Sequence, residues 1–377
     1  MKKVGIITFH NSYNCGSMME SFAIQKYLLK KDVNNEIIDF SNDGQRLMYA
    51  TFERSNSLKN LIKNIILFPH RKRINENNKR YEMFKQNNFI LSEKEYSKSK
   101  DIIDCYDIAI AGSDQIWNIT IPDSDDAYFL NWCNKAYKVA YAPSFGAKNI
   151  LDYSDNPEKY RNYLNDFDAL SVRENNGKKW IKDLINKDVP VLIDPTLLLD
   201  ESDYDELVDD SIKPKGKYIF FYSPSFDKDI CAFVKKVSRK YGLKVIAWSS
   251  KSYFKKFIRR FGFELVRYES PSIYLSMIKN AELVFTTSFH GTIFSTVFRK
   301  KFFVIKNGGM YGNDDRVKTL IEQLGVENRI IKYEFNDVFD YLADVDYTNY
   351  EKNLPLLRER AERFLDENVV KKYNEKA

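Results

Sequence analysis

The sequence predicts an α/β protein built as two Rossmann-like domains facing each other across a central cleft. Three observations predict it. Short apolar runs of β-forming residues recur along the chain, each too brief for a helix. Between them lie segments whose apolar residues fall at helical spacing, as parallel sheets require. An acidic stretch, Asp200 to Lys217, carries Pro214 and Gly216, shows no apolar periodicity and divides the runs into two sets. The length, 377 residues, also suits two domains. The expected division is residues 1–205, residues 206–345, and a terminal helical segment, 346–377, that returns towards the first domain.

The first set opens with a strand over Lys3 to Phe9. A polar loop and a helix from about Glu20 to Lys31 follow, the helix marked by Phe22, Ala23, Ile24, Tyr27 and Leu28. Glu36 to Phe40 is the second strand. Residues 42–100 read as polar and irregular, apart from a helical face made by Ile74, Tyr81 and Phe84. The basic residues there, Arg71, Lys72, Arg73, Lys79 and Arg80, read first as a solvated face, and second as a peripheral contact with phosphates at a membrane surface. Further strands are expected over Tyr106 to Ala111, Val139 to Ala142, Ala169 to Val172 and Val191 to Ile193. The second set runs Tyr218 to Tyr222, Lys244 to Trp248, Glu264 to Arg267, Leu283 to Phe285 and Phe302 to Ile305. A helix is expected from Thr292, another over Val317 to Leu324, and a long charged one over Leu354 to Lys371.

Composition narrows the function classes. Hydrophobic residues make up 44% and charged residues 30%, which is the balance of a folded protein. The 25 Tyr and 27 Phe chiefly fill a core, with a sugar-binding cleft as the rival use. No apolar run has transmembrane length, and the first apolar run reads as a strand rather than a signal peptide. Cys15, Cys105, Cys133 and Cys231 lack CxxC spacing, so neither a zinc site nor a disulfide framework is expected, and the predicted location is the cytoplasm. The net charge of +6 does not indicate nucleic acid, and it suits an anionic small substrate or an anionic lipid-linked one. The first βα loop lacks GxGxxG, so no dinucleotide is inferred.

Four polar clusters fall at the carboxyl ends of predicted strands, where open α/β sheets bind ligands. They are Asn14, Gly16 and Ser17; Ser113, Asp114 and Gln115; Arg173; and Thr287, Ser288, His290 and Gly291. The last stands at a helix start, whose free N–H groups favour an anion. His290 reads either as a structural histidine in a turn or as a proton donor. Asp114 reads either as a turn-stabilising carboxylate or as a proton acceptor. Arg173 reads either as one half of a salt bridge, with Glu174 or another carboxylate, or as a bidentate anion clamp.

Five motifs in order, Asn14-Cys15-Gly16-Ser17, Gly112 to Trp117, Ser171-Val172-Arg173-Glu174, Asp194 to Leu198, and Ser288-Phe289-His290-Gly291-Thr292, resemble those of the polysaccharide pyruvyl transferase family. The resemblance spans roughly residues 1 to 325. It departs at Cys15, and at Phe289, where some members carry an arginine. It implies a GT-B-like fold and transfer of pyruvate from phosphoenolpyruvate to two sugar hydroxyls, forming a cyclic ketal in cell-surface polysaccharide biosynthesis. The first domain would then be the acceptor side and the second the donor side, with a sugar or lipid-linked glycan as acceptor and no cofactor or metal. His290 and Asp114 would be catalytic, the other clustered residues substrate-binding. The alternative is a GT-B glycosyltransferase using a nucleotide-sugar donor. A third possibility by class is a sugar-binding protein without catalysis.

Overall fold

The computed structural model describes residues 2–54, 56–305 and 315–375. It contains two six-stranded sheets, and every strand pair in both is parallel. The first comprises β1 (Val4–Ile7), β2 (Asn35–Phe40), β3 (Leu91–Tyr96), β4 (Ile108–Ala111), β5 (Tyr137–Ala140) and β6 (Ala169–Leu170), in the spatial order β3-β2-β1-β4-β5-β6. The second comprises β7 (Tyr218–Tyr222), β8 (Lys244–Ala247), β9 (Glu264–Leu265), β10 (Leu283–Thr286), β11 (Phe302–Ile305) and β12 (Ile330–Ile331), in the order β12-β11-β10-β7-β8-β9. The central strands are buried throughout, which is why they read as continuous apolar runs.

Each sheet has a switch point beside its first strand, where the order reverses between β1 and β4 and between β7 and β10. Crevices at such points, outside the carboxyl ends of the strands, are where doubly wound sheets bind ligands. The two halves meet along the helix Cys15–Lys30. Thirteen of its 16 residues are buried, so it lacks a wet face and serves as core for both halves. The terminal helix Thr348–Leu365 crosses back over the first half. Arg358 there donates to the carbonyls of Leu197 at 2.6 Å and Leu199 at 2.5 Å. Beyond it, Asn368 Oδ1 accepts from Tyr137 Oη at 3.2 Å.

Several elements differ from the sequence expectation. The first helix begins at Cys15, not near Glu20, because Asn14 caps it by accepting from Gly16 N at 2.9 Å. The described part of residues 42–100 contains the helices Asp43–Tyr49, Leu58–Leu67 and Arg71–Asn88 and the edge strand β3. Charged Glu93, Lys94 and Glu95 hid that strand, since an edge needs no buried apolar run. Val191 to Ile193 contributes only an isolated bridge, Val191 to Val172. Of the basic residues in Arg71–Asn88, Lys72 and Lys79 are solvated, but two arginines dock on the second half. Arg73 donates to Val266 O, and the Arg80 guanidinium lies 4.2 Å from the Tyr268 ring centre. No helix among the described residues is long and apolar enough to cross a membrane.

Candidate active site

Three strand ends and two helix starts converge between the sheets. β4 ends at Ala111 and delivers Ser113 and Asp114; β6 ends at Leu170 and delivers Arg173; β10 ends at Thr286 and delivers His290. The helix after β10 runs Phe289–Val297 with Ser288 as its cap, so His290 lies inside its first turn. From the other half the first turn of Cys15–Lys30 approaches the same point. A methyl group at Gly16 would overlap His290 Nδ1, so glycine is required there by close approach. Two helix N-termini, each a partial positive charge, therefore point into one space.

Arg173 is the hub. It is 3% exposed, and its Nη1 donates to Asp194 Oδ2 at 2.6 Å. Its Nη2 lies 3.6 Å from Asp114 Oδ1, and its guanidinium carbon sits 4.2 Å from the centre of the Phe289 ring. Arg173 thus does belong to a salt bridge, but with Asp194 rather than Glu174, and buried rather than exposed. Its Nε and Nη2 have no hydrogen-bond partner among the described residues. His290 Nε2, also buried and without a hydrogen-bond partner there, lies 3.4 Å from the same Asp194 Oδ2.

Asp194 ties the cations together. Its other oxygen accepts from Thr196 N at 3.0 Å and Thr196 Oγ1 at 2.7 Å. Burial works against its charge, but His290, Arg173 and the Thr196 hydroxyl outweigh burial and hold the carboxyl well below its ordinary range. Asp114 lies opposite, with φ of +71°, in the left-handed region. Its Oδ1 accepts from Gln115 N at 2.8 Å and its Oδ2 from Ser17 Oγ at 2.5 Å. The turn-stabilising role is therefore real, yet a carboxylate has about four acceptor positions and these bonds fill two. A non-glycine residue in that region costs on the order of 1–3 kcal/mol, and such strain clusters at functional sites.

Beneath the cluster two further carboxyls are buried. Glu20 accepts from Thr8 Oγ1 at 2.8 Å and Ser113 N at 2.9 Å, and burial pushes its pKa well above the usual carboxylate range. Glu174 accepts from Phe145 N at 2.8 Å and Ser144 Oγ at 3.0 Å. Burial raises it to about 7 against the opposing charges of Arg173 and Arg316. These groups hold strand ends in place.

Of the residues the sequence singled out, Ser17, Ser113, Asp114, Arg173 and His290 form one cluster. Asn14 and Ser288 are helix caps, Ser288 Oγ accepting from Gly291 N at 3.3 Å. That bond occupies an amide the sequence reading left for an anion. By helix geometry the open first-turn amides are those of Phe289 and His290. Thr287 pairs with Ser223 Oγ at 3.1 Å, and the Gln115 side chain accepts from Asn118 at 3.3 Å, so neither side chain joins the cluster by a hydrogen bond. Asp194 and Phe289 were missed as site residues. Phe289, the point of departure from the family pattern, supplies the platform for Arg173. His10 is satisfied by Asp39 at 3.0 Å and Thr8 O at 3.3 Å, and His70 stacks on Phe254. Among the described residues no group of three or more His, Cys, Asp or Glu is placed to hold a metal ion.

Gly16→Ala is expected to displace the His290 ring or part the two helix ends. It should lower turnover and stability together, the latter by about 1–3 kcal/mol as overpacking does. Chemical unfolding and a product assay check it, and a variant unchanged in both would mean that the close approach at Gly16 is not maintained.

Comparison with solved structures finds the same two-sheet arrangement. A UDP-N-acetylglucosamine 2-epimerase matches with a TM-score of 0.52 and 12% identity, covering 97% of this chain and 95% of that one. A UDP-GlcNAc 2-epimerase from Neisseria meningitidis matches at TM-score 0.46 and 11% identity, over 99% and 96% of the two chains. The E. coli heptosyltransferase WaaC matches at TM-score 0.38 and 10% identity, over 98% and 100%. At 12% identity the first of these likenesses bears on fold alone, and with the topology of the two parallel sheets it fits a GT-B-like fold. None of the curated proteins matches it. A family model described as polysaccharide pyruvyl transferase matches residues 14–309, which takes in Ser17, Asp114, Arg173, Asp194 and His290. With more than half its length matched, the chain belongs to the polysaccharide pyruvyl transferase family.

Proposed function

We propose that this protein transfers the pyruvyl group of phosphoenolpyruvate to two hydroxyls of a sugar in a lipid-linked or polymeric glycan, forming a cyclic ketal for the cell surface. The observation that carries the reading is the set of buried donors on Arg173 and His290 that have no hydrogen-bond partner among the described residues, beside Asp114 and two helix N-termini. Such a site stabilises a compact anion. Phosphoenolpyruvate offers a carboxylate and a phosphate of about −1.5 to −2 charge. The free Nε and Nη2 of Arg173 form a fork suited to either group, and the amides of Phe289 and His290 suit the other.

The chemistry follows from the positions. His290, as imidazolium balanced by Asp194, gives its proton to the donor's methylene carbon, and C2 becomes electron-poor. A sugar hydroxyl adds at C2 as Asp114 takes its proton. The C2–O bond to phosphate then breaks. The second hydroxyl closes the ketal and gives up its proton. Of the two hydroxyl protons, one replaces the proton given to the methyl group and the other leaves with inorganic phosphate, so the enzyme is restored. The Arg173, Asp114 and His290 side chains are each less than a tenth exposed, so the donor enters as the two halves part.

A nucleotide-sugar donor is less well served. Its ribose is usually held by a carboxylate, and the hydroxyl-rich turn from Thr286 to Gly291 carries none. The test is a thermal shift followed by an assay of phosphate release with a panel of glycans. At 100 times its dissociation constant a ligand adds about 2.7 kcal/mol of stability. Phosphoenolpyruvate is expected to stabilise the protein and to release phosphate when a suitable glycan is present. Stabilisation by a nucleoside diphosphate instead would overturn the reading in favour of glycosyl transfer.

A further inference from the structure

The helix Leu58–Leu67 is turned inside out. Leu58, Leu61, Ile62 and Ile65 are 74%, 46%, 50% and 63% exposed, and Phe68 just beyond is 56% exposed. At about 100° per residue, the four helical positions fall within an arc of about 100°. The polar residues occupy the opposite face and bind the protein's own chain. Asn64 donates to Glu53 O at 2.8 Å and accepts from Glu53 N at 2.9 Å. Lys63 pairs with the Glu53 carboxylate at 2.5 Å, and Asn60 donates to Arg54 O at 3.1 Å. A helix folded for water would have the reverse orientation. A contiguous exposed stripe of this kind marks a surface meant to be covered.

The charge around the stripe says by what. From Arg54 to Ile74 there are six Lys and Arg and no Asp or Glu. The adjacent segment Ser250 to Phe263 has five and again none. The two are joined, since Lys255 reaches Glu53 at 2.9 Å and His70 stacks on Phe254 with ring centres 3.5 Å apart. Exposed on these segments are Lys59, Lys72, Lys256, Arg259 and Arg260, and with them Phe257, 59% exposed. Arg71 lies 4.1 Å from the Phe68 ring centre. A second copy of the chain seated symmetrically on this stripe would oppose one basic rim to the other. An anionic bilayer offers both an apolar interior and negative headgroups.

We infer that the outward face of Leu58–Leu67, with Phe68 and its basic rim, docks the protein on an anionic lipid surface. The helix lies in the interfacial plane, with Leu58, Leu61, Ile62 and Ile65 below the headgroups and Lys59 at their level. The inference concerns a face separate from the Arg173 and His290 cluster and holds whichever donor that cluster takes.

The test is co-sedimentation of the full chain with vesicles of phosphatidylcholine alone, and of phosphatidylcholine with about one-third phosphatidylglycerol, the anionic lipid that attracts basic segments. The protein is expected to pellet with the anionic vesicles only, and less so as salt rises and screens the rim. Ile62→Glu combined with Ile65→Glu should cut the bound fraction about tenfold or more, because charge is placed where burial is needed. Lys59→Glu with Lys72→Glu should also lower it, without touching the apolar stripe. Melting temperature should hold in both, since these side chains point outward. Failure to pellet with anionic vesicles overturns the inference, as does undiminished pelleting by both variants. A concentration-dependent dimer that the isoleucine variant abolishes, with no vesicle binding by the parent, would overturn it in favour of a self-interface.

Discussion

His290→Ala is expected to lower turnover about 100- to 10,000-fold, the range for loss of a general acid. Donor affinity should fall much less, because Arg173 and the first-turn amides remain. The geometry makes the prediction specific. Nε2 of His290 lies 3.4 Å from Asp194 Oδ2 and has no other partner among the described residues. His290→Gln sharpens the test. An amide can donate a hydrogen bond to the donor but cannot deliver a proton to carbon. Binding without turnover supports proton transfer. Near-normal turnover in the glutamine variant would reduce His290 to a hydrogen-bonding role and move the acid to Asp114 or to water.

The elements that carry this argument were unequally legible in the sequence. The β10 strand and the turn to His290 stood out because a buried apolar run stops abruptly at hydroxyls, and a parallel strand buried on both faces leaves that signature. Asp194 falls in one of the five motifs, but its role was not legible there. It follows Val191 to Ile193, which looks like a strand but makes only one bridge, and Asp-Pro-Thr is an ordinary way to start a helical turn; Asp194 does cap Thr196. Its partners, Arg173 and His290, come from separate strand ends, and no local pattern records that meeting. The stacking of Arg173 on Phe289 was hidden for the same reason. The inverted helix was legible and was passed over. Leu58, Leu61, Ile62 and Ile65 have helical spacing, but the surrounding Asn and Lys residues made the segment look merely polar. Which face a helix turns outward is settled by what its polar side can bind, here Glu53 and Arg54, and spacing alone cannot tell.

Asp194→Asn is expected to destabilise the protein by about 3–5 kcal/mol, the usual cost of leaving a buried charge without its partner. Arg173 is 3% exposed, and among the described residues its only ion pair below 3 Å is with Asp194. Asparagine preserves shape and can still cap Thr196 through its oxygen, so the loss would report charge rather than packing. The loss should also depend on pH in one direction. The Asp194 carboxyl is held below its ordinary value of 3.8, with burial opposing and His290 and Arg173 prevailing. A depressed carboxyl contributes stability that is present above its unfolded pKa and lost as pH falls through the folded one. Parent and variant should therefore converge only below about pH 4, as far as acid unfolding of other carboxyls allows. Chemical unfolding across pH measures this. The Arg173→Met variant supplies the control: combined with Asp194→Asn it should restore part of the lost stability, because neither charge then remains unpaired, while donor binding stays lost. A cost for Asp194→Asn within about 1 kcal/mol, the worth of an exposed pair, would show that Arg173 and Asp194 are solvated in solution. Arg173 would then lose its preset orientation towards the donor.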